Sequence, residues 1–279
     1  MARHYDIDED KELLLKELDL HTIHPINIKD TKQGAKYILI GAPGTGKSTL
    51  IKDIMYFKKH IIPIGHVFSG TDDSNKFFTD FFPDSFIFTE EQLSSYMGKK
   101  EHESLLEENP VVKFKRIQQL ASTYLEPRNI VPWALEIFDD CTSDTRYLKR
   151  PPIQAIYKNG RHWRMLHLAS YQFCLDMPTN IRTNVNGVFI MKEGNPKMRD
   201  RLFVNYSDGG MDRYEFDYIM DQLTEDYCAM YINKRAKSNR VDETILYYKS
   251  DPKRIPIDWK FGCKDFWRFH NDRYFNTNK

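Results

Sequence analysis

Eight consecutive residues, Gly41-Ala42-Pro43-Gly44-Thr45-Gly46-Lys47-Ser48, satisfy the pattern G-x-x-x-x-G-K-[ST] in full. Each residue type has a task. Glycines let backbone N–H groups curl round phosphate oxygens, and a helix beginning at the end of the loop adds positive potential. Lys47 supplies a point charge for the β- and γ-phosphates, and the Ser48 hydroxyl is a ligand for Mg²⁺. With Thr49, these residues form the expected binding set for ATP and its metal. Binding alone does not hydrolyse a nucleotide. A second acidic centre is needed, and Asp139-Asp140 is the candidate: Asp139 to hold Mg²⁺ and Asp140 to orient and polarise a water. The competing reading of the pair is a helix N-cap ahead of Thr142 and Ser143. Gln172 is the candidate sensor of the γ-phosphate, against the alternative of a surface amide.

The elements required to position these groups are visible as hydrophobic pattern. Tyr37–Gly41 is a compact apolar run entering the loop, and Ser48–Phe57 leaves it with apolar residues at helical spacing. Ile61–Phe68, Trp133–Phe138, Met165–Ala169, Val188–Met191 and Cys228–Ile232 are further strand candidates. Strands alternating with helix-length segments predict a parallel α/β sheet covered on both faces. Asp139-Asp140 and Gln172 then follow the C-terminal ends of strands, where ligands of such sheets bind. Ile61–Phe68 lies between the loop and the acid pair in the chain, as in P-loop ATPases with an additional strand. Glu136 is an awkward residue for a central strand. Residues 1–33 read as a polar lead with a short amphipathic helix around Lys11–Leu18, residues 34–232 as the nucleotide-binding domain, and residues 233–279 as a basic, aromatic extension. The stretch 89–130 is polar and helix-like at both ends.

Composition excludes several classes. The 279 residues carry 41 Lys+Arg against 40 Asp+Glu, a net charge of +1, with 29% charged and 41% hydrophobic residues. These values fit an ordinary globular protein and exclude indiscriminate coating of nucleic acid by bulk charge. The charge is nevertheless uneven: residues 230–279 hold a net +6 and the remainder −5. Lys234, Arg235, Lys237 and Arg240 cluster there. Trp259, Phe261, Phe266, Trp267, Tyr274 and Phe275 interleave with later basic residues, either as a DNA or capsid contact or as a packed subdomain. No run approaches the length of a transmembrane helix, and no secretory signal pattern is present. Four scattered cysteines point to a reducing compartment. His162 and His167 show no metal-ligand partner arrangement and read as structural, and His21-x-x-His24 reads as incidental.

The order of GAPGTGKS, HVFSGTDDSN, FFPDSFIF, IFDD, NGRHW, ASYQ and IRTNVN makes the pattern specific. Over roughly residues 34–249 the chain resembles the DNA-packaging ATPases of nucleocytoplasmic large DNA viruses, of the poxvirus and giant-virus type, within the FtsK–HerA group. The resemblance implies a P-loop NTPase fold of the additional-strand type and an ATPase that drives double-stranded DNA into a capsid. It also implies a homo-oligomeric ring, a capsid or inner-membrane protein as a further partner, and a location in the virion or host cytoplasm. Carried over by residue, it assigns Lys47 and Ser48 to phosphate and Mg²⁺, Asp139 to the metal and Gln172 to the sensor. Asp140 stands where the wider group commonly has Glu. Arg161 and Arg182 match family arginines. Arg161 is the first candidate for a residue acting on a neighbouring subunit's nucleotide, with Arg146 and Arg182 behind it. Two other readings of the loop stay open: a small-molecule kinase, for which Arg161 and Arg164 are the nearest lid, and a non-hydrolysing nucleotide-dependent capsid or DNA-binding component.

Overall fold

A computed structural model describes residues 2–8, 11–30, 33–96, 131, 133–207, 211–256 and 258–274, with backbone only for 2–8, 11–14, 94–96 and 273–274. Among the described residues ten strands form one sheet: β1 (Ala2–Asp8), β2 (Lys11–Glu17), β3 (Ala35–Ile40), β4 (Ile64–Ser69), β5 (Ile87–Thr89), β6 (Ala134–Asp139), β7 (Met165–Tyr171), β8 (Gly187–Ile190), β9 (Cys228–Asn233) and β10 (Ile245–Lys249). Their spatial order is β1-β2-β10-β9-β8-β3-β7-β6-β4-β5. From β8 to β5 neighbouring strands are parallel, whereas β9 runs antiparallel to β8 and to β10.

The helices among the described residues are α1 (Lys47–Lys58), α2 (Asp72–Asn75), α3 (Glu90–Tyr96), α4 (Pro151–Asn159), α5 (Thr179–Arg182), α6 (Pro196–Tyr206), α7 (Arg213–Leu223), α8 (Val241–Thr244) and α9 (Lys264–Tyr274). Local chemistry sets several of their starts. Prolines occupy the first positions of α4 and α6, where no N–H is required, and Asp212 with Glu215 forms a capping box on α7.

The central strands are buried on both faces, as a parallel sheet requires. Along β3, Ile38 and Ile40 face one layer, which includes Ile153, Ile156, Leu202, Phe216 and Ile219 from the helices. Tyr37 and Leu39 face the other, made by Leu50, Ile51, Ile54 and Met55 of α1 with Trp259, Phe261 and Phe266. The C-terminal rings are therefore packed rather than presented: Trp259 stacks on Phe81 at 4.4 Å and Phe261 on Phe82 at 4.9 Å. Those partners belong to the aromatic stretch Phe77–Phe88. Tyr274 is described by its backbone alone, and Phe275 lies outside the described residues, as does residue range 97–130.

Two expectations are corrected. Lys11–Leu18 is not an amphipathic helix: Lys11–Glu17 is a strand, and Lys16 and Glu17 pair with Leu246 and Tyr247 of β10. The partner lies some 230 positions away in the chain, so local periodicity could not signal it. The additional-strand arrangement itself holds, but β4, which separates loop and acid pair in sequence, is not that strand and falls outside β6 in space. The strand interposed between β3 and β6 is β7.

Glu136 has a tertiary explanation. The register aligns His66, Glu136, His167 and Lys36 in one row across β4, β6, β7 and β3. His167 Nδ1 lies 2.7 Å from Glu136 Oε2, and His66 Nε2 lies 3.2 Å from Oε1. Tyr157 of α4 closes the row, with its hydroxyl 2.8 Å from His167 Nε2 and its carbonyl accepting from Lys36 Nζ at 2.6 Å. Burial alone would push the Glu136 carboxyl up; the hydrogen bonds from His167 and His66 outweigh it and hold it down to about 2. Relative to its ordinary value of 4.5, this depression contributes stability that is fully present above pH 4.5 and is lost as pH falls toward 2. Glu136→Gln is expected to lower the unfolding free energy at pH 7 by about 3 kcal/mol. Urea denaturation between pH 2 and 7 should also show a flatter acid limb for the variant.

Candidate nucleotide-binding site

Ile40 of β3 pairs with Tyr171 of β7, so the residues after them, Gly41 and Gln172, leave the same end of the sheet side by side. The phosphate-type loop connects β3 to α1 as the motif requires. Gly44 at φ 77° and Gly46 at φ 106° both occupy the left-handed region, where a Cβ is penalised. Gly46 caps α1, and its carbonyl accepts the Leu50 N–H at 3.0 Å. Lys47 is buried and donates to the loop's own carbonyls, Gly41 at 2.6 Å and Ala42 at 3.2 Å. Burial lowers its ammonium, and the neighbouring Asp140 and Asp139 oppose that shift. Thr45 Oγ1 donates to the Ala42 carbonyl at 2.7 Å, tightening the turn.

Asp139 is the last residue of β6 and Asp140 the first beyond it, in the left-handed region at φ 55°. That conformation, tolerated by Asp, redirects the chain at once. The N-cap alternative does not hold, since Asp144 rather than the pair caps the 3₁₀ turn Thr145–Lys149. Ser170 of β7 ties the two acids: its Oγ donates to Asp139 Oδ1 at 2.6 Å and accepts the Asp140 N–H at 3.0 Å. Gln172 Nε2 lies 2.8 and 2.7 Å from the two carboxylate oxygens of Asp140. Burial pushes the Asp139 carboxyl up to about 6 against the Ser170 hydrogen bond, and Asp140 adds to the rise.

Pro43, Gly44, Gly46, Lys47, Ser48, Thr49, Thr71, Asp139, Asp140 and Tyr227 line a cavity of about 320 Å³. The donor set suits a hard divalent cation. A hydroxyl, Ser48, and two carboxylates share this cavity, while Lys47 is turned to backbone carbonyls. Sequence reasoning missed Ser170 and Tyr227. The first was hidden because only pairing of β6 with β7 brings a serine to the acids. The second lies on a loop with no motif of its own.

The candidate arginines are not brought to this cavity within the chain. Arg161 is in the 3₁₀ turn Gly160–Trp163, before β7 begins, and its carbonyl accepts the Gly34 N–H at 2.7 Å. Arg164 is equally at the start of β7. Seven extended residues separate that end from Gln172, about 20 Å. Any lid made by Arg161 and Arg164 over the chain's own cavity is thereby removed. Arg146 is exposed and paired with Asp144 at 2.8 Å. Arg182 donates to Thr179 Oγ1 at 2.7 Å and lies over the Tyr206 ring.

Ser170 is the clearest test of the acid centre's architecture. Ser170→Ala leaves a buried carboxylate oxygen and a backbone N–H short of a partner. It is expected to cost about 1–3 kcal/mol of unfolding free energy in urea denaturation, with partial recovery in Ser170→Thr.

No protein-family model matches the chain. It is 37% identical over 270 residues to uncharacterized protein 075L of Invertebrate iridescent virus 6, covering 96% of this chain and 97% of that one. Identity to protein 088R of Invertebrate iridescent virus 3 is 36%, covering 94% of each. Among solved structures, B204, the DNA-packaging ATPase from Sulfolobus turreted icosahedral virus, superposes with a TM-score of 0.51 at 13% identity, over 79% of this chain and all of B204. That likeness establishes the shared P-loop NTPase fold. The fold is thus one shared with a packaging ATPase, and the chain belongs to the family of viral proteins represented by 075L and 088R of the invertebrate iridescent viruses.

Proposed function

We propose that this protein is an ATP-hydrolysing motor that moves double-stranded viral DNA into a capsid. The observation that carries the reading is the joining of two centres in one cavity: an anion loop with Lys47 and Ser48, and an acid pair, buried Asp139 and half-buried Asp140, held by β7. Kinship with large-DNA-virus proteins and the fold shared with the DNA-packaging ATPase B204 support the choice of DNA as cargo.

In this reading the loop amides and Lys47 bind the triphosphate, and Ser48 and Asp139 hold Mg²⁺. The ion, when bound, neutralises charge that develops on the phosphate oxygens. Asp140 orients a water and accepts its proton as the water oxygen bonds to the γ-phosphorus. The bond from that phosphorus to the β–γ bridging oxygen breaks, leaving ADP and phosphate. Gln172 bridges the state of the γ-phosphate to Asp140, because the amide that holds both carboxylate oxygens must yield one for a water. Arg161, at the far end of β7, would act only on a nucleotide held by a neighbouring subunit of a ring, a contribution worth about 10³–10⁵ in rate for residues of this kind. Exposed cations near the C-terminus, Arg240, Lys253 and Arg254 among them, are suited to phosphate contacts without base reading. No helix among the described residues is long and apolar enough to cross a membrane.

The decisive assay measures phosphate release with and without long duplex DNA, alongside the mass of the assembly in ATP. Duplex DNA is expected to stimulate turnover, with stimulation falling as salt rises. Lys47→Ala should abolish turnover, and Gln172→Ala should lower the stimulated rate at least 10-fold with little change in nucleotide affinity. Ring assemblies that hydrolyse ATP with no response to any DNA would remove the translocase reading. Nucleotide binding with negligible turnover under every condition would favour the non-hydrolysing component instead.

A further inference from the structure

The loop joining α7 to β9 carries a strained pair. Asp226 at φ 48° and Tyr227 at φ 61° are successive non-glycine residues in the left-handed region. Such strain persists only where neighbours enforce it, and it gathers at functional sites. Here the enforcement is visible. The Cys228 N–H donates to the Glu225 carbonyl at 2.9 Å, and the N–H of buried Ser250, just beyond β10, donates to the Tyr227 carbonyl at 3.1 Å.

The strained turn sets the Tyr227 ring against the phosphate loop. A Cβ placed on Gly46 would lie 2.8 Å from the ring's Cδ1, so this glycine is needed for the ring's approach as well as for its φ. The ring belongs to neither layer of the buried core, and the residue is 45% exposed. It lines the same cavity as Ser48, Thr49 and Asp139. A large ring left in water beside an anion loop, at the cost of backbone strain, calls for a ligand with a flat face.

The loop and Lys47 account for the charged part of a nucleotide, and the acid pair for its metal. The base remains without a partner among these groups, and its π-face is what an exposed phenol ring can hold. We propose that Tyr227 is the platform on which the base of the bound nucleoside triphosphate stacks, with the Asp226–Tyr227 turn fixing the platform's height over Gly46. This inference rests on the nucleotide-binding reading above. It makes the β9–β10 hairpin part of the nucleotide site, since Ser250 holds the turn that aims the ring.

Equilibrium binding to the full chain, with Mg²⁺ present, separates the possibilities when ATPγS and inorganic tripolyphosphate are compared by calorimetry. Tyr227→Ala is expected to weaken ATPγS about 10-fold and to leave tripolyphosphate within about two-fold. Tyr227→Phe keeps the ring and should bind both as wild type does. Retained tripolyphosphate binding also shows that the variant is folded. Unchanged ATPγS affinity in Tyr227→Ala overturns the platform and is the outcome expected if the base sits in the neighbouring apolar recess of Met191, Met198 and Leu202. Equal loss of both ligands overturns it in favour of a role in shaping the loop. A loss in Tyr227→Phe as large as in Tyr227→Ala overturns it in favour of the hydroxyl. Wild-type protein that binds neither ligand, like Lys47→Ala, overturns the nucleotide reading itself and the platform with it.

Discussion

The hydrogen bonds of Ser170 hold the acid centre together. One hydroxyl donates to the Asp139 carboxylate and accepts the Asp140 N–H, so it fixes both acids from the strand next door. That contact exists only because β7 stands between β3 and β6. The same strand then delivers Gln172 beside Gly41, against the Asp140 carboxylate. Remove β7 from that position and the loop and acid pair would adjoin directly, without the Ser170 and Gln172 contacts. The interposed strand is thus both spacer and link.

Buried carboxylates in this sheet sit in two different settings. Glu136 lies in the row His66–Glu136–His167–Lys36 across four strands, bonded to both histidines, and Tyr157 closes the row on His167 and Lys36. Its carboxylate is held ionised, and its partners are all inside the protein. Three residues further along β6, Asp139 points to the opposite face, toward α1 and the loop. There burial pushes its carboxyl up, because one hydroxyl and a distant lysine compensate it incompletely. A buried carboxylate satisfied internally fixes register and structure; one left short of positive charge at a cavity wall suits a metal. Glu136 and Asp139 share a strand and a side-chain chemistry, and their surroundings set them apart.

The last third of the chain supports the site rather than standing apart from it. Asp53 of α1 accepts the Tyr248 hydroxyl of β10 at 2.9 Å, Ser250 holds the Tyr227 turn, and Lys58 at the end of α1 donates to the Ile23 and Pro25 carbonyls of the lead. The helix that begins at the phosphate loop is thereby tied at successive levels to segments remote in sequence.

The sequence by itself determined the loop, the helix after it, the acid pair and the alternation of strands and helices. Each is written in contiguous residues: glycine positions that demand left-handed φ, a Lys-Ser pair, apolar runs ending in Asp or Gln. It even marked Glu136 as a misfit without supplying the cause. Tertiary structure alone decided what non-adjacent segments do to one another. It turned Lys11–Glu17 into a strand by giving it the edge of β10, and it put β7 rather than β4 between the two motifs. It buried the C-terminal rings against Phe81 and Phe82, carried Arg161 to the far end of the sheet, and brought Tyr227 to Gly46. The physical reason is common to all of these. Backbone conformation and periodicity are properties of neighbours in the chain, whereas strand pairing and burial are settled by partners that only the folded sheet brings together.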